Sequence, residues 1–225
     1  MIFFDIDGTL IDHDSAETAA ALAFQQVHPQ VFPEPPQAFV ARWKEVSWRH
    51  VKRWLAGETT FQGQRRSRLQ ELFSHHRQLT NAQADDLIQH YVDAYEQNWR
   101  LYDDVQPCLQ ALASRRLGII SNGDSGQQRQ KLEKLKIAGL FSVITISGDV
   151  GLSKPAAGIF AAACAAAGLA MQQCTYIGNH LDSDILAGTR AGMRAIWINR
   201  LRLPCPLGVV AIRSLVEMPG VIGSS

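Results

Sequence analysis

The sequence predicts an α/β protein with a largely parallel sheet and an all-helical domain inserted after its first strand. Three observations carry this. From position 103 onward, apolar runs that read as buried strands alternate with helical stretches. One more such run, Ile2-Phe3-Phe4, opens the chain far from the others. Between them lies a long segment with helical periodicity and no strand signal. The expected division is 1–12 and 103–225 for the α/β core and 13–102 for the helical insert.

The first strand leads into Asp5-Ile6-Asp7-Gly8-Thr9-Leu10. Two carboxylates this close repel, so either one is protonated or both share a cation. Such a pair suits a nucleophile and a proton carrier. Gly8 allows a sharp turn or close approach of a ligand, and Thr9 can bond a phosphate oxygen.

In the insert, Asp14 or Ser15 can cap a helix through Phe24, and Pro29, Pro33, Pro35 and Pro36 break it. The next helix ends at Gly57 and carries an apolar stripe at Val40, Trp43, Ser47, Val51 and Trp54. A third covers positions 62–75. Thr80 or Asn81 caps a fourth with Leu87, Ile88, Tyr91, Val92, Tyr95 and Trp99. Packing as a four-helix bundle would bury these stripes. Arg42, Lys44, Arg49, Lys52 and Arg53 mingle with Trp43, Trp48 and Trp54. A solvated basic helix face is the favoured reading, over an aromatic and cationic surface for a nucleobase or sugar phosphate.

In the core, helices are expected over 107–114, 126–135, 155–167 and 182–191. Strands are expected over 117–120, 143–146, 174–177, 195–198 and 209–212. Ligands of parallel α/β sheets bind beyond the carboxyl ends of the strands, so the residues following each strand are the site candidates. They are Ser121-Asn122-Gly123, whose hydroxyl and amide suit a phosphate; Lys154-Pro155; and Gly178-Asn179-His180-Leu181-Asp182-Ser183-Asp184. A lysine near a helix start is disfavoured by the helix dipole and needs another reason, such as pairing with a phosphate and a carboxylate.

Over 225 residues the chain is 46% hydrophobic and 19% charged with a net charge of +1, an ordinary globular composition. This balance makes no case for a nucleic acid polymer or an anionic membrane as partner. The N-terminal apolar run is too short for a signal peptide, and Cys108, Cys164, Cys174 and Cys205 form no CxxC or metal spacing. The expectation is a cytoplasmic protein with reduced thiols.

In this order, Asp5-x-Asp7-Gly8-Thr9, Ser121, Lys154-Pro155 and Gly178 with Asp184 resemble the four motifs of the haloacid dehalogenase superfamily in its phosphatase form. The resemblance implies a Rossmann-like, doubly wound parallel core with a helical type-1 cap that selects the substrate. It implies a magnesium-dependent phosphomonoesterase, with Asp5 as nucleophile and Asp7 as acid and base. Ser121 and Lys154 would hold the phosphate, supported by Thr9 and Asn122. The metal would lie among Asp5, the Asp7 carbonyl and Asp184. The chain departs from the pattern at Asn179, where the family carries an aspartate, so Asn179 would be a neutral and weaker magnesium ligand. The stretch 119–160 looks similar to the branch containing pyrimidine 5′-nucleotidases, and the implied substrate is a nucleoside monophosphate or sugar phosphate. The alternatives are a 2-haloacid dehalogenase, against which Asp7 argues, and a binding protein that kept the scaffold without catalysis.

Overall fold

A computed structural model describes residues 1–223. Six parallel strands form one sheet in the order β3-β2-β1-β4-β5-β6: β1 (Ile2–Phe4), β2 (Leu117–Ser121), β3 (Val143–Ile146), β4 (Thr175–Gly178), β5 (Arg194–Ile198) and β6 (Val210–Ile212). The strand order reverses beside β1, which pairs with β2 on one edge and β4 on the other. Phe4 lies opposite both Ile119 and Ile177. That reversal is where a parallel α/β sheet opens a crevice at its carboxyl ends.

Side chains alternate across the sheet with the period of two that a strand imposes. Ile2, Phe4, Leu117, Ile119, Ile177, Ile196 and Ile198 enter one apolar layer. Phe3, Ile120 and Tyr176 enter the other, against Ile159, Phe160 and Ala163 of an Ala-rich helix. Both faces of β1 are therefore buried, which explains its uninterrupted apolar run.

Compact contacts divide the chain into two units, residues 1–12 with those from 100 onward, and His13–Trp99. The second unit holds α1 (His13–Val27), α2 (Pro36–Leu55), α3 (Phe61–Phe73) and α4 (Asn81–Gln97). Thr60 caps α3, and Thr80 with Gln83 forms a capping box on α4. The buried face of α2 is Phe39, Trp43, Val46, Ser47 and His50, rotated from the expected stripe because Phe39 packs on Phe32 and Trp43 at ring distances of 4.8 and 5.8 Å. Four of its basic residues are ion-paired, Arg42 with Glu34, Lys44 with Asp14, Arg49 with Glu45 and Glu71, and Arg53 with Glu58, while Lys52 Nζ lies 5.5 Å from the Trp48 ring centre. Paired exposed charges of this kind make a solvated face.

The core helices are α5 (Val105–Ala111), α6 (Ser125–Lys134), α7 (Ser147–Val150), α8 (Ala157–Ala167), α9 (Ala187–Ala191) and α10 (Met218–Ile222). Two expected helices are corrected. The one placed from Pro155 starts at Ala157, and that over 182–191 begins at Leu181 as a π-helical turn through Leu186 before α9. Three cysteines are buried, Cys205 is exposed, and all are free. Burial pushes the Cys108 and Cys164 thiols up to about 12, which makes them inert. Among the described residues, no helix is long and apolar enough to cross a membrane.

Candidate active site

The loop after β1 is pinned where it leaves the sheet: the Asp5 N–H donates to the Ile177 carbonyl at 2.9 Å, and the Gly8 N–H to that of Ile11 at 2.8 Å. Gly8 has φ +80°, and a Cβ there would fall 2.2 Å from Asn179 Nδ2. Only glycine lets this loop lie against Asn179.

Asp5 is 4% exposed and receives the Lys154 ammonium at 2.8 Å. Lys154 Nζ also lies 2.8 Å from Asp184 Oδ1 and donates to the Tyr176 hydroxyl at 2.8 Å. Tyr176 in turn donates toward Ile120 O (3.1 Å) and Asp184 Oδ1 (3.2 Å), and the His180 N–H binds Asp184 Oδ2 at 2.9 Å. The π-helical turn directs Asp184 inward. The cluster sets two buried carboxylates against one buried ammonium. Burial raises the Asp5 carboxyl, Asp184 and Asp7 add to it, and Lys154 opposes. Burial works against the Lys154 charge, but Asp184 and Asp5 outweigh it and raise the ammonium above its ordinary value. Burial, then Asp184 and Asp5, hold the Tyr176 phenol well above its ordinary value, so it stays neutral.

Asp7 has partners of its own. Lys131 Nζ of α6 lies 2.7 Å from Oδ1 and 2.8 Å from Oδ2, and Gln128 Nε2 donates to Oδ2 at 2.9 Å. Each of the two acids is thus paired with a different buried lysine.

The other predicted residues take distinct positions. Ser121 Oγ is buried and accepts from Gln128 at 3.0 Å. The Asn122 side chain bonds both ways to the Lys154 backbone, Nδ2 donating to its carbonyl at 3.0 Å and Oδ1 accepting from its N–H at 2.8 Å. Asn122 thus ties the β2 loop to the Lys154 loop. Thr9 is fully buried, with Oγ1 3.5 Å from Asn179 Oδ1, and the Asn179 carbonyl accepts from Trp197 Nε1 at 2.9 Å. Among the described residues no three His, Cys, Asp or Glu side chains are grouped to hold a metal.

Sequence reasoning missed Tyr176, Gln128 and Lys131. Tyr176 reads as one more apolar strand residue. Along α6 nothing separates Lys131 from Lys134, and only the packing of the helix turns one of them inward.

A family model described as haloacid dehalogenase-like hydrolase matches residues 1–192. An N-acylneuraminate-9-phosphatase from Mus musculus is 34% identical over 134 residues, 57% of this chain and 54% of that protein. A phosphoserine phosphatase from Thermus thermophilus is 36% identical over 103 residues, 44% of this chain and 41% of that one. The chain spans about half the length of the curated relatives it matches. A solved structure of the putative HAD-hydrolase YfnB from Bacillus subtilis superposes with a TM-score of 0.80 at 23% identity, covering 99% of this chain and 98% of that one, a likeness of fold. With its parallel sheet, paired loop acids and a family match over most of its length, the chain belongs to the haloacid dehalogenase-like hydrolases.

Proposed function

We propose that the protein is a magnesium-assisted phosphomonoesterase acting on a small phosphorylated metabolite, a nucleoside monophosphate or a sugar phosphate. The observation that carries this reading is the separate pairing of the two loop acids, Asp5 with Lys154 and Asp7 with Lys131. Two carboxylates in different electrostatic settings can take different roles. Support also comes from the relatives, whose names are those of phosphatases for small metabolites.

Asp5 attacks phosphorus through its carboxylate, forming an acyl phosphate as the ester P–O bond breaks. Asp7 gives a proton to the departing alkoxide, then takes one from the water that attacks phosphorus and releases Asp5. Lys154 and the Ser121 hydroxyl hold the phosphoryl oxygens. Asp5, the Asp7 carbonyl and the Asn179 amide oxygen are hard oxygen donors that fit magnesium together with a substrate phosphate. Asp184 has both oxygens occupied by Lys154, Tyr176 and the His180 N–H, so its first task is to hold Lys154; it reaches a metal only by exchanging these partners. Magnesium, when bound, supplies charge neutralisation at the phosphoryl group. Four free thiols fit a reducing compartment such as the cytoplasm.

The test is hydrolysis of an aryl phosphate across a magnesium titration, with Asp5→Asn alongside. Turnover that rises with magnesium and falls by about a thousandfold or more in a folded Asp5→Asn protein is expected. Turnover unchanged by the substitution would remove Asp5 as nucleophile.

A further inference from the structure

We propose that Gln128 and Lys131 form a clamp that positions Asp7 and couples it to Ser121. The inference rests on the reading of Asp7 as acid and base. The two residues stand three apart on α6 and so share one face of the helix. Each is 2% exposed. A lysine on a helix flank ordinarily keeps its ammonium in water. Lys131 instead buries it with both Asp7 oxygens, 124 residues away in sequence. The Gln128 amide nitrogen reaches three acceptors: Asp7 Oδ2 at 2.9 Å, Ser121 Oγ at 3.0 Å and the Asn122 carbonyl at 3.2 Å.

Two costs are accepted to keep this arrangement. Gln128 Oε1 is buried with no hydrogen-bond partner. The chain also leaves room for the side chain at Gly123, where a Cβ would meet Gln128 Cγ at 2.6 Å and Cδ at 2.9 Å. A packing role alone is met by an apolar residue at 128, which leaves no buried amide oxygen unpaired.

The clamp gives Asp7 a defined orientation. Its side chain is 27% exposed and extends from a glycine-containing loop, so its rotamer is set by what holds its oxygens. Lys131 and Gln128 approach it from the α6 side. Through the same amide, the hydroxyl of Ser121 is placed relative to the carboxylate that serves the leaving group. Proton delivery to a leaving oxygen depends on such placement. Lys131 and Gln128 are positioning residues: they act through Asp7.

The experiment compares Lys131→Met and Lys131→Arg with the unsubstituted protein on an alkyl and an aryl phosphate. An alkyl leaving group depends on Asp7 for its proton, and an aryl leaving group depends on it far less. In single-turnover measurements, Lys131→Met is expected to slow leaving-group release by about a hundredfold for the alkyl ester and by less than about fivefold for the aryl ester, since the water-activating step that Asp7 also serves follows that release. KM should stay within about twofold, and Lys131→Arg should restore most of the loss. Equal losses on both esters, or none, would overturn the clamp. A crystal structure of Lys131→Met supplies a readout independent of turnover: a reoriented Asp7 side chain is expected, and an unchanged one refutes the proposal. If the unsubstituted protein hydrolyses neither ester, the phosphatase reading falls while the crystallographic result still decides the clamp. Should Lys131→Met not fold, Gln128→Met removes the amide without a charge change and undergoes the same comparison.

Discussion

Replacing Tyr176 by phenylalanine removes one oxygen from the centre of the site and changes nothing else in shape. That oxygen accepts from Lys154 Nζ at 2.8 Å, and its proton lies between Ile120 O at 3.1 Å and Asp184 Oδ1 at 3.2 Å. It can satisfy only one of the two at a time, so the substitution deletes two hydrogen bonds, one to a charged donor. A bond to a charged group contributes about 1.5–3 kcal/mol and an ordinary one about 0.5–1.5 kcal/mol. Because Lys154 keeps both carboxylates, the lower half of the sum applies, about 2–3 kcal/mol. With a urea slope of about 3 kcal/mol/M for a chain of this size, the midpoint falls by about 0.7–1 M. Urea unfolding followed by circular dichroism, with the slope unchanged, is the assay. A shift below about 0.2 M at constant slope would refute the reasoning, showing that two carboxylates alone hold the lysine.

Asp104 tests the electrostatics away from the site. It accepts from Arg200 at 2.7 and 2.9 Å, Ser214 Oγ at 2.8 Å and the Leu215 N–H at 2.9 Å, tying α5 to the C-terminal segment. Burial opposes its charge, but the Arg200 guanidinium, the Leu215 N–H and the Ser214 hydroxyl outweigh it and hold the carboxyl below 3.8. A depressed carboxyl stabilises the fold above its unfolded value and loses that contribution as pH falls through the folded one. Asp104→Asn should therefore lose about 2–3 kcal/mol at neutral pH, with the gap to the unsubstituted protein closing below pH 3.8 in urea titrations run across pH. A gap that persists unchanged into acid would place the loss in packing. Asn179→Asp adds a charge beside the Gly8-Thr9 turn and is expected to tighten magnesium binding about tenfold or more by titration calorimetry. An unchanged affinity would put position 179 outside the metal shell.

Much of the architecture was legible because it rests on local signals. Periodicity distinguishes strand from helix within a few residues. Once a sheet is parallel, its carboxyl ends lie at one edge, so Asp5, Ser121 and Gly178 could be brought together from their positions after apolar runs. Thr80, one of the two cap candidates, marked the start of α4 in the same way. Element starts governed by longer contacts were less legible. The π-helical turn at Leu181–Leu186 bends to direct Asp184 at Lys154, which no spacing in the segment encodes.

By itself, then, the sequence determined which residues meet at the sheet edge, because in a parallel sheet the loops that follow the strands lie at one edge. Only the tertiary structure decided how their charges are matched. Asp5 draws Lys154 from 149 positions away, and Asp7 draws Lys131 from 124. Which of several lysines turns inward depends on the rotation of α6 against the sheet, and that rotation is set by Leu132 entering the apolar layer. A buried ammonium is tolerated only where a carboxylate waits for it, a condition that exists only after the chain has folded.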